Sequence, residues 1–232
     1  MYNNVTAVLT SCGRLDLLER TIKSLDQEFW DLIPVKILTE DSANAEIFKK
    51  VKQENENGYL KNWTILYNEK KLGQSASIDR AYSLVKTDYV FHLEDDWEFY
   101  NDKFIDRSLA ILEKYENIVQ VTFRPNSPHI IGDELYEEKT DCEFGIFIPG
   151  YNGWPGFTYN PNIFKYEYYE KIKPIAGRQE KEVGLIFNDL EMYTAKLING
   201  SVDHIGDGRH VPLDQTLWWG KNYEKSICSN AC

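Results

Sequence analysis

What this 232-residue chain lacks narrows it quickly. It has only four cysteines, Cys12, Cys142, Cys228 and Cys232, at spacings that suit neither a disulfide framework nor a zinc ribbon. The closing C-x3-C reads as part of a disordered tail. No apolar run approaches the length of a membrane span, and Met1 to Thr10 has no basic start of the kind a secretory leader carries. The expected setting is therefore soluble, reducing and cytoplasmic, with no transmembrane segment. Positive charge is scarce too. Against 37 Asp and Glu stand 26 Lys and Arg, a formal net charge of −11. A phosphate-backbone binder needs a net positive surface, so nucleic acid is excluded as a partner. An anionic small molecule fits only if something local reverses the sign. The composition of a disordered chain is also missing: 42% hydrophobic and 14% aromatic residues are enough for a sizeable core.

The first half alternates. V-T-A-V-L-T (5–10) reads as a strand, and Leu15, Leu18, Ile22, Leu25 and Phe29 mark one face of a helix. Strands are expected at 35–39, 63–67, 89–93 and 117–123, with helices near 44–56, 73–86 and 101–115. This pattern predicts an α/β fold, a mostly parallel sheet with helices on both faces. Ligands of such sheets bind outside the carboxyl ends of the strands. Residues 125–165 carry Pro125, Pro128, Pro149, Pro155 and Pro161, so the second half is loop-rich. Short strands are expected at 143–148 and 157–159, and a helix near 187–199 that buries Phe187, Leu190, Thr194 and Leu197. The organisation expected is one domain over 1–232: a first half (1–124), a second half (125–211) and a tail (212–232).

Three expected strands end in suggestive residues: T-S-C-G-R (10–14), T-E-D-S (39–42) and H-L-E-D-D-W (92–97). Glu94, Asp95 and Asp96 put three carboxylates directly after a hydrophobic strand. Two like charges about 4 Å apart cost roughly 1 kcal/mol in water and about 4 kcal/mol near a protein surface. A hard divalent cation, Mn2+ or Mg2+, removes that repulsion and prefers carboxylate oxygens together with substrate phosphates. A solvated acidic turn is the other reading of the triplet taken alone.

The segment L-G-Q-S-A-S-I-D-R-A-Y-S-L-V-K-T-D-Y-V-F-H-L-E-D-D (72–96) resembles glycosyltransferase family 2, nucleotide-sugar transferases of the Rossmann-like GT-A fold. Those proteins carry G-x-x-x-A-R-N-x-G-I, a hydrophobic strand and then D-x-D. The chain departs from that pattern at Asp79, where the family has Asn, and at Glu94, the first acid of the triplet. The resemblance runs over roughly 5–211 and implies a nucleoside diphosphate sugar donor, probed first as UDP-linked, and a glycan or other hydroxyl acceptor. The loop-rich half would then take the acceptor. It also implies Mn2+ or Mg2+ at the Glu94-Asp95-Asp96 motif, with Asp96 the direct ligand, Glu94 a metal residue that lies closer to the sugar or ribose, and a late histidine, His210 or His204, with His210 preferred. Thr10, Ser11 and Arg14 would line the nucleotide, and Asp41 would accept from the base or simply cap a helix. Gly73, Asp79, Arg80, Glu94, Asp95 and Trp154 complete the donor contacts, with Arg209 and Arg80 sharing the diphosphate charge. F-N-D-L-E-M (187–192) matches the family's E-D-x-D-L region with Asn188 in place of Glu. That makes Asp189 the expected general base, on the first turn of a helix, and Glu191 the acid after it. Trp97 and Trp154 are either sugar-stacking or core residues. Two other functions stay open: a sugar-nucleotide nucleotidyltransferase, whose glycine-rich loop T-S-C-G-R-L lacks, and a non-catalytic nucleotide-sugar or glycan-binding module.

Overall fold

The computed structural model describes residues 1–124, 156–197, 199–209 and 211, together with the backbone of two strands at 136–139 and 144–147. β1 (Val5–Ser11) is buried along its whole length, and α1 (Leu15–Lys23) and α2 (Gln27–Asp31) follow it. The single helix expected from Leu15 to Phe29 is broken. The Asp26 carboxylate accepts from Phe29 N at 2.8 Å and starts a new helix there. β2 (Val35–Glu40), α3 (Ala45–Asn57), β3 (Thr64–Tyr67), α4 (Gln74–Tyr82), β4 (Tyr89–Glu94), β5 (Trp97–Phe99), α5 (Phe104–Lys114) and β6 (Ile118–Thr122) continue the expected alternation. Beyond them come β7 (Tyr136–Lys139), β8 (Phe144–Phe147), β9 (Asn162–Lys165), α6 (Tyr166–Ile172), α7 (Glu180–Asp189), β10 (Tyr193–Leu197) and β11 (Val202–His204).

Nine strands form one sheet in the order β3-β2-β1-β4-β9-β6-β10-β8-β7, and β5 pairs with β11 in a small second sheet. β9 is antiparallel to both β4 and β6, and β8 is antiparallel to β10 and β7; the other seven strands share one direction. The expected mostly parallel sheet is therefore present. Helices cover both faces. Leu18, Ile22, Phe29, Trp30, Val51, Phe104 and Ile111 pack on one side with Val5, Leu9, Phe91 and Leu93. Ile78, Ala81, Tyr82, Tyr169, Val183 and Phe187 pack on the other with Val8, Ile37 and Val90. No helix among the described residues is long and apolar enough to cross a membrane.

Two expectations for the second half fail for physical reasons. Residues 157–159 are not a strand, because the Gln120 side chain satisfies that backbone instead. Thr158 N donates to Gln120 Oε1 at 3.0 Å and Gln120 Nε2 donates to Thr158 O at 3.1 Å. The strand lies just beyond, at β9. The helix expected over 187–199 is the end of α7 followed by β10, whose buried residues include Thr194, Ala195 and Leu197. Leu190, expected inside, is 50% exposed.

Phe91, in the middle of β4, is the hub of the aromatic core. Its ring lies 5.2 Å from Phe104, 5.8 Å from Phe99, 6.1 Å from Trp30 and from Phe123, and 6.4 Å from Phe29. Replacing Phe91 by Ala is expected to cost about 3–5 kcal/mol in urea unfolding, whereas Leu185→Ala on the exposed face of α7 should stay within about 0.5 kcal/mol.

Candidate active site

The sheet register sets the acids side by side. Ser11 pairs with Glu40 across β1 and β2, and Thr10 pairs with Glu94 across β1 and β4. Glu40, Asp95 and Asp96 are buried, and Glu94 is half-buried. Glu40 accepts from Ser42 N at 2.8 Å. Ser11 Oγ lies 3.0 Å from both Glu40 Oε2 and Asp95 Oδ2, and its single proton serves one of them at a time. Asp95 also accepts from Cys12 N at 3.2 Å and pairs with the Arg14 guanidinium. Burial pushes the Asp95 carboxyl up to about 6, against the pull of Arg14. Burial, with the Asp96 charge behind it, pushes Glu94 up to about 8, although Trp97 Nε1 donates to it at 3.0 Å. Gln74 Nε2 donates to the other Glu94 oxygen at 2.5 Å.

Asp96 faces β11 and the turn after it. Its Oδ2 accepts from Arg14 Nη1 at 2.7 Å and lies 3.3 Å from His204 Nε2. His204 Nδ1 is 2.8 Å from Asp207 Oδ1, which orients the ring. Gly206 closes over this carboxylate. A Cβ built there would sit 2.2 Å from Asp96 Oδ2 and 2.8 Å from Asp96 Cβ, so the approach needs a residue without a side chain. His210, the preferred late histidine, lies outside the described residues; the histidine found beside Asp96 is His204.

Glu180 was missed by the sequence reading. It opens α7, where the Gln179–Glu182 capping box fixes the helix start. Its Oε1 accepts from Thr158 Oγ1 at 2.8 Å and from Tyr159 N at 2.5 Å. Burial raises its pKa, with Arg124 pulling the other way, and its charge helps to raise that of Glu94. The helix dipole favours a carboxylate at this position. The signal was present as Q-E-K-E (179–182), a capping-box pattern eight residues before the expected helix.

Asp189 ends α7 instead of starting a helix, so the dipole there has the opposite sign. Tyr193 N donates to Asn117 O, and β10 begins beside Ile118, at the amino end of β6. Asp189 and Glu191 are exposed at that edge, at the other end of the strands from Glu94 and Asp96. That placement removes the ground on which Asp189 was expected to be the base.

A sequence model described as glycosyl transferase family 2 matches residues 6–173. The chain belongs to that family. Among solved structures, this family member is similar to GalNAc-T7 with UDP, GalNAc and Mn2+, at a TM-score of 0.65 and 13% identity over 88% of this chain and 44% of that one. It is equally similar to the mannosyltransferase PcManGT from Pyrobaculum calidifontis with GDP-Man and Mn2+, at 0.65 and 13% over 90% and 59%. TarS 1-349 from S. aureus with UDP-GlcNAc matches at 0.58 and 8% identity over 89% and 62%. At these identities the likeness is one of fold, and the chain spans roughly half the length of the first two. No curated protein matches it.

Within the family 2 frame, the remaining expected donor residues divide. Thr10 and Ser11 end β1 at the acid cluster, and Gly73, at φ 86, opens α4. Asp41 is buried, and its oxygens accept from Asn68 Nδ2 at 2.7 Å, Leu72 N at 2.8 Å and Gly73 N at 2.8 Å. It holds the loop before α4 and is not the cap of α3, which is Asn44. Asp79 accepts from Tyr169 Oη at 2.8 Å, Ile175 N at 3.1 Å and Ala176 N at 2.7 Å, and so ties α4 to the loop before α7. Arg80 donates to Tyr67 O at 2.6 Å, and Arg209 grips Asp16 at 2.5 and 2.9 Å. Trp97 is a core residue, 2% exposed. Trp154, Trp218 and Trp219 lie outside the described residues, as do Cys142, Cys228 and Cys232.

Gly206→Ala is expected to displace the Asp96 carboxylate and cost about 1–3 kcal/mol in thermal unfolding. Gly208→Ala, at φ +74 with open space around its Cβ position, should cost only the left-handed strain of about 1–2 kcal/mol and leave Asp96 in place. Crystal structures of both variants read the difference directly.

Proposed function

We propose that this family 2 member moves a sugar from a UDP-linked nucleoside diphosphate sugar to a hydroxyl of a glycan or other acceptor, with inversion at the anomeric carbon. The carrying observation is that Glu94 and Asp96 at the end of β4, His204 at the end of β11 and Glu180 at the start of α7 come from three separate segments and converge near the carboxyl ends of the strands. The neighbours of like fold solved with UDP or GDP-mannose and Mn2+ support the donor class and a divalent ion.

The residues fit such an ion. Asp96 Oδ2 and His204 Nε2 are 3.3 Å apart, the separation of two neighbouring donors on one ion whose bonds are about 2.0–2.2 Å. Among the described residues no group of three or more His, Cys, Asp or Glu is arranged as a metal cage. A two-donor set is what Mg2+ or Mn2+ uses when substrate phosphates and water supply the rest. When bound, the ion offsets the diphosphate charge and stabilises it as it leaves. Glu94, fixed by Gln74 and Trp97, stands beside it on the sugar or ribose side. Thr10 and Ser11 line the nucleotide, whose base meets the Asp41 loop.

Inversion needs a base on the face of the sugar opposite the leaving diphosphate. Glu180 is our candidate. Thr158 Oγ1 and Tyr159 N both donate to its Oε1, and Oε2 is the oxygen that would take the acceptor hydroxyl's proton. Burial weakens the acid and so strengthens the base. Because the base works ionised, transfer should rise with pH through an apparent pKa above the ordinary glutamate range and stay high beyond it.

UDP together with Mn2+ should raise the melting temperature more than either alone, and Asp96→Ala should abolish that synergy; no shift with UDP, GDP or dTDP would overturn the proposal. A panel of UDP-, GDP- and dTDP-sugars with Mn2+, scored by mass spectrometry for released nucleotide, identifies the donor. With it, Glu180→Gln should keep donor binding and lose about 10²–10⁴ in kcat, while Asp189→Asn stays near wild type. The reverse pattern would return the base to Asp189.

A further inference from the structure

The site already contains a cation of its own. Arg14 reaches from the turn after β1 to the end of β4, where its Nη2 pairs with Asp95 and its Nη1 donates to Asp96 Oδ2 at 2.7 Å and to Arg209 O at 3.4 Å. Asp96 Oδ2 is the oxygen that also faces His204 Nε2. The side chain of Arg14 is 16% exposed, and its buried Nε has no hydrogen-bond partner among the described residues. A guanidinium serving as a permanent buried tie normally has each N–H answered. One bare donor suits a group that exchanges partners.

We propose that Arg14 is a displaceable counter-ion: it pairs with Asp95 and Asp96 while no divalent ion is bound and must leave Asp96 before one can bind there. This rests on the metal reading given above. Asp96 Oδ2 has two lone-pair sites, and Arg14 Nη1 takes one of them on the side that His204 also faces. A guanidinium and a divalent ion sharing that oxygen would lie a few ångströms apart with like charge, at a cost larger than that of two single charges. The ion therefore competes with Arg14 for one atom. Through Nη2 the guanidinium stays with Asp95, and its freed Nη1 finds a new acceptor in the diphosphate of the nucleotide. Metal alone loses the Arg14–Asp96 contact without replacement, while metal with nucleotide regains one. Arg14 thus couples the two ligands, and the coupling is reciprocal.

The test measures Mn2+ binding by calorimetry, with and without UDP, to the wild type, Arg14→Gln and Arg14→Lys, alongside melting curves in EDTA. Arg14→Gln should bind Mn2+ alone at least about tenfold more tightly than wild type, melt lower in EDTA, and show a smaller tightening of Mn2+ by UDP. Arg14→Lys, which keeps one charge without the fork, should fall between. Equal or weaker Mn2+ binding by Arg14→Gln overturns the inference, since Arg14 would then be orienting Asp96 for the ion. Should Arg14→Gln fail to fold, nitrogen NMR of the wild-type Arg14 guanidinium decides instead: Mg2+ with UDP should shift its Nη signals, and unmoved signals overturn the inference. Failure of the metal reading looks different, because wild type and variants would all decline Mn2+ even with UDP.

Discussion

Repulsion among acids is the constraint around which this molecule is arranged. Glu40 and Glu94 end the two strands that flank β1, Asp95 and Asp96 follow Glu94, and three of the four acids are buried. At about 4 Å each such pair costs on the order of 4 kcal/mol near a protein surface. Every neighbour described at that edge answers part of the debt: Ser11 and Ser42 N on Glu40, Gln74 and Trp97 on Glu94, Cys12 N and Arg14 on Asp95. The overall charge of −11 is thus two different things. Much of it is ordinary solvated surface, and a small share is concentrated where a cationic partner is required.

α4 carries that arrangement across the molecule. At its start, Gly73 N is held by Asp41 from the end of β2. One residue on, Gln74 reaches Glu94 at the end of β4. Ser75 accepts from Gly177 N, and Asp79, one turn further, takes Ile175 N and Ala176 N. Those three residues lead directly into α7 and Glu180. Two acids and a loop from three parts of the chain are therefore indexed against one nine-residue helix. The departure at Asp79 gains a local meaning from this, since a carboxylate accepts from several N–H groups at once and an amide cannot do so equally well.

The first half was legible because its buried faces are regular. In β4, Val90 and His92 face one layer while Phe91 and Leu93 face the other, and α1 repeats its apolar positions at three and four. Local chemistry then adjusts the pattern, as Asp26 does by starting α2. The second half was harder to read because side chains do work that backbone does elsewhere. Gln120 replaces a strand partner for Thr158, and Phe187, Leu190, Thr194 and Leu197 mimic a helical stripe across a helix end, a turn and a strand. Glu191 turns the chain there at φ 56, which no periodicity announces. A helix read as starting at Phe187 puts Asp189 on a first turn, whereas the helix that is there ends at Asp189. The acid triplet, by contrast, was legible because three adjacent carboxylates after an apolar strand are conspicuous in any frame. The approach of His204 to Asp96 is not legible in the same way, since it depends on the β5–β11 pairing of Trp97 with His204.

The antiparallel β9 has a consequence for how the molecule is assembled. It lies between β4 and β6 in the sheet, and it is made some forty residues after β6. Until it arrives, a growing chain has made β4 and β6, with β5 and α5 between them in sequence, and the edge of each that β9 will pair is open. Those two strands are almost wholly buried and lie in the middle of the finished sheet. The chain up to β6 is therefore not a separable module. Cutting the chain after β6 would strand two sticky edges, and synthesis must carry them as a transient liability until Asn162–Lys165 slides in and closes the sheet.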